Sequence, residues 1–478
     1  MIDLDRYGTV LRRYAGSGCL TISSGANLQC RFVAVQYSDG AVRAGVEIPD
    51  AGRAEANAIN SLRSEEVTGL VGATDDGKSV ELGGQILWHN VTLSLGRQNA
   101  LSMGLVAQTM RVGHKPSDEV AKQIRFGITN FEFEGNEPRV VRTDTRELHD
   151  RGILTMQLPL GKVVIERLPN YEDAVKVINA LYGVDATCEA AFNLPENSSV
   201  FATESAANDL CAILSLARGT PITWIYHDTV NSAGQQIASV HNHAVTRSYA
   251  GRSAAIIDPG SPQAIKELVE TAFAVWDDVK DSFNLQWAIQ SYLEAKRREP
   301  YLEARALAAI QALELLVGGY ARRVASPPRM FVVDELLFES KKLEICQGLQ
   351  PLLQAVFHDS HPLAKDELSA MANANRLKEL NRRSFGSNLR HLLRHYQLKS
   401  EVGKAELLGK VRNNLVHAAC LVNVVQEFPG GIKPEELHKE QVRRYFTLCA
   451  TVDKLLLRIL GYQGHMLDCS NGWSKTKL

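Results

Sequence analysis

A single breaker, Asp258-Pro259-Gly260-Ser261-Pro262, separates two parts of the chain that have different hydrophobic patterns. Before it, short runs rich in β-branched and aromatic residues alternate with turn sequences, which is typical of strands. After it, nearly every segment repeats its apolar residues at helical spacing. Because strands and helices are segregated along the chain, the sequence predicts a multidomain α+β protein whose main boundary lies at this breaker.

The N-terminal part contains several predicted strands with few helices between them. The clearest runs are Leu28 to Tyr37, Ala41 to Ile48, Ser79 to Leu95 and Ile124 to Gly135. This spacing predicts a β-sandwich or jelly-roll-like domain over residues 1–168. Residues 169–260 mix helical and strand patterns, and are predicted to form an α+β extension of that domain.

The C-terminal part is predicted to be a helical bundle over residues 263–465, followed by a C-terminal tail over 466–478. One helix is predicted to run without interruption from Lys404 to Gln426. On it, six apolar residues would form one packed stripe: Leu408, Val411, Leu415, Ala418, Val422 and Val425. Beyond His417 the predicted helix is apolar nearly all round, which favours a further packing partner such as a second subunit.

Composition places the chain among ordinary globular proteins, with 45% hydrophobic and 22% charged residues. It contains no apolar run of about 20 residues and no signal-peptide pattern, so we expect a cytoplasmic protein without a membrane partner. The eight cysteines include no C-x-x-C pair, which favours reduced thiols and no cofactor. Residues 261–478 hold 30 Lys+Arg against 25 Asp+Glu, a modest excess compatible with nucleic acid.

Four polar residues interrupt the predicted helix at Lys404–Gln426: Arg412, Asn413, Asn414 and His417. Such groups are costly to bury without partners, so they are either satisfied core residues or a site. Histidine transfers protons near neutral pH, and a guanidinium binds phosphate oxygens in two-point contacts. The residue types therefore suit metal-free cleavage of a phosphodiester, with the 2′-hydroxyl of RNA as nucleophile.

The spacing alone is weak evidence, because similar Arg-to-His pairs occur at Arg390–His395, Arg142–His149 and Arg458–His465. The surrounding sequence adds to it. RNNLVH fits the R-x4-6-H motif and resembles the late helix of HEPN domains. ARALAAIQALELLVGGY resembles the early HEPN helix with its characteristic acid, here Glu314, and RRSFGSNLRHLL resembles the intervening helix. With a β-rich region in front, the chain is similar to ApeA-type HEPN proteins of bacterial abortive-infection defence over residues 265 to 460.

The resemblance implies a metal-independent endoribonuclease acting on RNA as a homodimer. By this resemblance Arg412 would bind and polarise the phosphate, and His417 would be the general acid/base. Asn413 would orient the pair, and Glu314 would support it from a facing helix. The N-terminal region would sense an unknown trigger or phage component. Two alternatives stay open: a catalytically silent HEPN bundle that only dimerises or binds a partner, and satisfied core polar groups without a site.

A basic stretch, RLKELNRRSFGSNLRHLLRHYQL, is the candidate RNA-binding surface. Its predicted RNA-binding residues are Arg382, Arg383, Arg390 and Arg394. Three of these, Arg383, Arg390 and Arg394, would share a helical face and could contact phosphates. A solvated basic face is the equally weighted alternative, and Arg390–His395 is the rival catalytic pair.

His241 and His243 stand two apart on a predicted strand and would face the same side, as in some metal sites. No third ligand is evident nearby, so a polar sheet face is the better interpretation and no metal is expected. A metal-dependent hydrolase built on His241 and His243 is a further hypothesis for the function.

Overall fold

The computed structural model describes residues 4–23, 26–49, 67–94, 100–113, 121–142, 147–181, 183–194, 199–242, 255–297, 300–357 and 381–478. Its contacts divide the chain into two compact units. The first unit comprises residues 1–274, 464–467 and 475–478, and the second comprises 275–463 and 468–474. The protein is mixed α+β, with a large antiparallel sheet in the N-terminal part and helices in the C-terminal part, as the segregation of patterns predicts.

The first six strands form a closed ring in the order β3-β2-β1-β4-β5-β6, with β6 pairing back to β3. Their bounds are β1 Val10–Ile22, β2 Asn27–Tyr37, β3 Val42–Pro49, β4 Val67–Thr74, β5 Ser79–Ser94 and β6 Ala100–Gly113. The register of β5 shifts between Gly83 and Ile86, where Gly84 takes a positive φ of 74°. Such a bulge bends a strand and lets a sheet curl. Alternate side chains, including Phe32, fill the ring.

Seven further strands continue from β6 in the order β13-β12-β7-β11-β10-β9-β8. Their bounds are β7 Gln123–Thr129, β8 Glu137–Arg142, β9 Glu147–Leu158, β10 Gly161–Arg167, β11 Ala186–Asn193, β12 Trp224–Val230 and β13 Gln236–Asn242. All thirteen strands therefore belong to one hydrogen-bonded sheet. This corrects the predicted sandwich or jelly roll, which requires two facing sheets. Residues 169–260 supply β11, β12 and β13 to the interior of this sheet rather than forming an extension beside it.

Two helices accompany the sheet: α1 (Tyr171–Leu181) and α2 (Val200–Arg218). Helix α2 begins at the N-cap Ser199, whose hydroxyl accepts from Ala202 N, and ends at Gly219 in the left-handed region. It packs on β7 and β12. Of the helices in the described ranges, α2 alone is long and apolar enough to cross a membrane, and 61% of its most apolar window is buried inside the structure. Burial of this kind is usual for the core helix of a folded unit.

Nine helices follow the breaker in the described part of the chain. They are α3 Pro262–Phe283, α4 Leu285–Lys296, α5 Leu302–Gly319, α6 Glu335–Phe357, α7 Phe385–His395, α8 Lys399–Val402, α9 Ala405–Ala418, α10 Val424–Glu427 and α11 Pro434–Ile459. A π-helical turn, Tyr320–Val324, extends α5. Helix α5 lies at the centre of the second unit, since it packs against α4, α7, α9 and α11. Residues 358–380 of the predicted bundle lie outside the described residues.

The last residues are ordered as a small hairpin rather than a plain tail. β14 (His465–Asp468) pairs with β15 (Ser474–Lys477), and Met466 and Cys469 are buried. The division between units falls inside α3, after Ala274, and residues 464–467 and 475–478 group with the first unit. The predicted boundary at the breaker, residues 258–262, lies at least 12 residues earlier in the chain.

Buried ionic groups fix the helices of the second unit to one another. Asp453 on α11 accepts from the Tyr292 hydroxyl at 2.5 Å and from Lys296 Nζ at 3.1 Å, which joins α4 to α11. Glu401 on α8 accepts from Lys454 Nζ at 2.8 Å. Burial opposes ionisation of Glu401, but hydrogen bonds from Lys454 and Lys404 lower its pKa. These pairs hold the scaffold on which α5 and α9 meet.

Candidate functional site

An ion pair joins α5 to α9 at the surface of the second unit. Arg412 Nε donates to Glu314 Oε1 at 2.8 Å, and Arg412 Nη1 donates to Asn413 Oδ1 at 3.2 Å. Both charged side chains are partly exposed, Arg412 at 29% and Glu314 at 39%. The structure thus brings together three of the four residues that the HEPN resemblance singles out. We name the group of Glu314, Arg412 and Asn413 the acid–arginine cluster.

The cluster has this position because α9 is amphipathic. Ala405, Leu408, Val411 and Leu415 are buried against α5 and α7, so Arg412 is turned toward the edge of the packed face. Arg412 Nη2 has no hydrogen-bond partner among the described residues. The outer part of this guanidinium is therefore available to a ligand, while its inner edge is fixed by Glu314.

Helix α9 is shorter than predicted. It ends at Ala418, and Ala419 adopts the left-handed conformation with φ 50°. The uninterrupted helix from Lys404 to Gln426 is therefore wrong, and so is the packed stripe beyond Leu415: Ala418 and Val425 are exposed. Leu421 and Val422, which were predicted to lie on the helix, are instead buried in the loop that follows the turn. The apolar back face that favoured a second subunit is therefore not formed by this helix.

His417 lies in the last turn of α9 and is exposed. No hydrogen bond from its ring is found to any described residue. It stands five residues after Arg412, about 140° around the helix, so the two side chains point in different directions. Arg412 faces Glu314 instead. Within one chain the structure therefore does not bring His417 to the acid–arginine cluster.

A buried arginine that sequence reasoning missed holds the loop after α9. Arg444 on α11 is 4% exposed and donates to Glu427 Oε1 and Oε2 at 2.9 and 2.6 Å and to Leu421 O at 3.1 Å. Glu427 Oε1 also accepts from Asn414 Nδ2 at 3.0 Å. The hydrogen bond from Arg444 lowers the pKa of Glu427. We name this group the Arg444 clamp.

The Arg444 clamp explains Asn414, which is a satisfied structural group and not part of the site. The sequence gives little indication of the Arg444 clamp. Arg443 and Arg444 lie in the middle of an amphipathic helix, and the partner Glu427 is 17 residues away from Arg444. Because the clamp ties the end of α9 to α11, it fixes the turn that follows His417.

Apolar side chains are exposed on the same faces as the acid–arginine cluster. Val416, one helical turn after Arg412, is 46% exposed, and Leu307, two turns before Glu314, is 38% exposed. Val425, on α10 beside the clamp residue Glu427, is 84% exposed. Exposed apolar residues such as Val416 and Leu307 favour a contact surface.

The predicted RNA-binding arginines are arranged differently from the expected helical face. Helix α7 begins at Phe385 after the N-cap Ser384, so Arg382 and Arg383 precede it. Arg383 is held by the neighbouring segment, with Nε donating to Phe331 O at 2.8 Å. The prediction that Arg383, Arg390 and Arg394 share one helical face is therefore wrong, because Arg383 does not lie on the helix. Arg382 forms a β-bridge with Phe331.

Arg390 and Arg394 are exposed and lie one turn apart on α7. The rival pair Arg390 and His395 occupies this same helix, where the His395 ring contacts Tyr320 at 5.3 Å and Tyr396 at 4.9 Å between ring centroids. No carboxylate contact like that of Arg412 with Glu314 is found for Arg390 among the described residues. The rival pair lacks the acid that accompanies the motif on α9.

His241 is a buried structural residue of the sheet. Its Nδ1 lies 2.6 Å from Gln36 Oε1 and its Nε2 lies 3.2 Å from the Tyr14 hydroxyl. Burial lowers the pKa of His241 to about 3, so it is neutral with both ring nitrogens engaged. His243 lies outside the described residues, and within the described ranges no group of three His, Cys, Asp or Glu side chains is arranged to hold a metal ion.

No protein-family model matches the chain, and no curated protein or solved structure matches it either.

Proposed function

We propose that the protein is a metal-independent endoribonuclease of the HEPN type. The observation that carries the proposal is the ion pair between Arg412 of the R-x4-6-H motif and Glu314 of the facing helix, at a solvent-accessible position. An acid that orients the inner edge of a guanidinium leaves its outer nitrogens preorganised for a phosphate. This arrangement is the one that the HEPN resemblance assigns to these residues.

The proposed reaction is transesterification within the RNA strand. His417 removes the proton from a 2′-hydroxyl, whose oxygen forms a bond to the adjacent phosphorus, while the bond from phosphorus to the 5′-oxygen breaks. The 5′-oxygen takes up the proton that His417 removed, so His417 acts first as base and then as acid. The products are a 2′,3′-cyclic phosphate and a 5′-hydroxyl end. Arg412 stabilises the negative charge that develops on the phosphoryl oxygens, and Asn413 and Glu314 hold the guanidinium.

A homodimer would complete this site. Arg412 and His417 of one chain point in different directions. If two copies of α9 face each other across a two-fold axis, Arg412 and His417 from the two copies can reach the same phosphate. The exposed Val416 and Leu307 would supply apolar contacts for such an interface. RNA would cross the interface and contact Arg382, Arg383, Arg390 and Arg394.

The biological role is proposed from the same resemblance. An unregulated ribonuclease is toxic in the cytoplasm, so we propose that the first unit senses a trigger and controls the second, in bacterial anti-phage abortive infection. tRNA is the first substrate to examine.

A second candidate is a non-catalytic HEPN-type protein that dimerises or binds a partner. One observation favours it: His417 makes no hydrogen bond to the described part of the chain and lies apart from the acid–arginine cluster. In this alternative the exposed apolar residues serve an interface and the ion pair is structural.

Substitution of the two motif residues distinguishes these candidates. Arg412→Ala and His417→Ala are expressed in bacterial cells beside wild type, with His395→Ala, the histidine of the rival pair, as the control. We expect the first two variants to lose growth arrest and RNA cleavage while remaining dimeric by light scattering. Unchanged toxicity in these variants, or loss of activity in His395→Ala instead, would refute the proposal.

A further inference from the structure

A cluster of cationic side chains lies where α7 begins, apart from the acid–arginine cluster. The segment 329–333 is paired with residues 381–383: Arg383 N donates to Met330 O at 3.0 Å, and Val332 N donates to Asn381 O at 2.6 Å. Asn381 is buried, and its side chain closes a second pair of hydrogen bonds with Val333. This pairing fixes Arg329 and Arg383 beside the first turns of α7 rather than leaving them on a free loop.

His391 faces this cluster from α7. The charged groups that act on its ring are all arginines: Arg329 from the paired segment, Arg394 from the next turn of α7, and Arg383 from the residue before the N-cap. Partial burial and these three cations lower the pKa of His391 below its ordinary value. In the described part of the chain no carboxylate contributes to this shift, so the cluster is cationic without an internal counter-charge.

Two features of the cluster favour an external anion. Arg329 Nε is buried and has no hydrogen-bond partner within the described ranges. Arg383 is oriented by its bonds to main-chain oxygens and not by an acid. An unpaired guanidinium nitrogen shielded from water is costly, and an anion that accepts from it removes that cost.

We propose that Arg329, Arg383, His391 and Arg394 form a binding site for the phosphate groups of an RNA strand, and that binding places a proton on His391. The choice of RNA rests on the proposed function. Arg329 and His391 were not among the RNA-binding residues expected from the sequence, because Arg329 lies more than 50 residues before α7 and only the pairing of the two segments brings it there.

Protonation follows from charge balance. In the free protein three arginines disfavour the imidazolium. A phosphodiester brings a negative charge into the cluster and reverses that preference, so the pKa of His391 rises on binding. Binding therefore takes up a proton, and affinity for RNA increases as the pH falls through the ordinary histidine range. The phosphodiester itself stays singly charged over this range, so the ligand does not contribute to the effect.

The test measures binding of a short, dye-labelled, 2′-O-methylated RNA of mixed sequence to the full chain by fluorescence anisotropy, in EDTA and at constant ionic strength. Such RNA lacks the nucleophile and cannot be cut. We expect wild type to bind about five- to tenfold more tightly near pH 5.5 than near pH 8, since one nearby charge shifts a pKa by about one unit. His391→Gln should remove most of this pH dependence.

Two further variants keep the test decisive. His391→Lys should bind tightly at both pH values, and Arg394→Gln, an exposed position, should weaken binding at every pH and reduce the salt slope by about 0.7. Lys341→Gln is the matched control, because Lys341 is an exposed cation of the same unit that is paired with Glu344 at 2.9 Å. It should behave as wild type.

A wild-type affinity that does not change with pH, or a pH dependence that survives in His391→Gln, overturns the proposal. The phosphate site and the proposed ribonuclease can fail independently in these experiments. If wild type cleaves RNA in EDTA but binds without this pH dependence, only the phosphate site fails. If it binds as predicted and never cleaves, only the ribonuclease fails.

Discussion

Replacing Arg444 by Met removes the Arg444 clamp while keeping an unbranched side chain of similar length. Three guanidinium nitrogens of Arg444 donate to Glu440 Oε1, to both oxygens of Glu427 and to Leu421 O, at 2.6 to 3.1 Å. Breaking a buried charged pair from one side costs about 3–5 kcal/mol. The Glu427 side chain is 22% exposed, so water replaces part of the lost contact. We expect Arg444→Met to lower the free energy of unfolding of the second unit by about 3 kcal/mol.

The pH dependence of this loss has a definite sign. The hydrogen bond from Arg444 lowers the pKa of Glu427 in the folded protein. A carboxylate with a lowered folded pKa contributes stability that is present above its ordinary pKa, near 4.5, and is lost as the pH falls through the folded value. The difference between wild type and Arg444→Met should therefore shrink as the pH falls below about 4.5.

Urea unfolding of the full chain, followed by far-UV circular dichroism, measures the loss, and hydrogen exchange of residues 419–428 reports the loop directly. The neighbouring Arg443 provides a matched control, because it pairs with Glu440 but its side chain is 57% exposed. Arg443→Met should cost less than about 1 kcal/mol. Equal and small effects of both substitutions, with unchanged exchange in the loop, would refute the clamp.

Three further predictions concern other parts of the molecule. Burial lowers the pKa of His241 in the folded protein to about 3. Its contribution to stability is therefore complete above about pH 6.5 and is lost as the pH falls toward 3. Acid unfolding of the first unit should be less steep in His241→Gln than in wild type, and identical unfolding curves would contradict this. Glu314→Gln should reduce RNA cleavage about tenfold, because Arg412 loses the carboxylate that orients it. The free energy of unfolding should change by less than about 1 kcal/mol, since the ion pair is partly exposed. Full activity of this variant would exclude a role for Glu314 in orienting Arg412. Val416 is exposed and lies at the proposed dimer interface, so Val416→Glu should give a folded monomer by light scattering where wild type gives a dimer. A dimer that persists in the variant would place the interface elsewhere.

The sequence predicts the class of each element better than the way the elements assemble. Segregated strand and helix patterns indicate the α+β organisation, and apolar spacing indicates α5 and α9. The closed ring depends on the pairing of β3 with β6, which joins Val42 to Ala107. That pairing involves strands far apart in the chain, and no local pattern encodes it. A predicted sandwich and the observed ring therefore have the same strand signals.

The end of α9 shows a different limit. Helices commonly stop at glycine or asparagine in the left-handed conformation, but here Ala419 takes that role. Alanine favours helix, and the apolar residues Leu421 and Val422 continue the helical spacing. The turn is specified instead by tertiary contacts of the Arg444 clamp, including the bond from Arg444 to Leu421 O. The pairing of Arg412 with Glu314 was suggested by family resemblance, whereas the cation cluster around His391 required the fold.

Cleavage of end-labelled bulk tRNA in EDTA, by purified wild type and by His417→Ala, tests the central claim most directly. We expect wild type to cut without metal and to leave 2′,3′-cyclic phosphate ends, and we expect the variant, folded and dimeric, not to cut. Equal behaviour of the two proteins, whether both cut or neither does, would contradict the role of His417 and with it the proposed ribonuclease site.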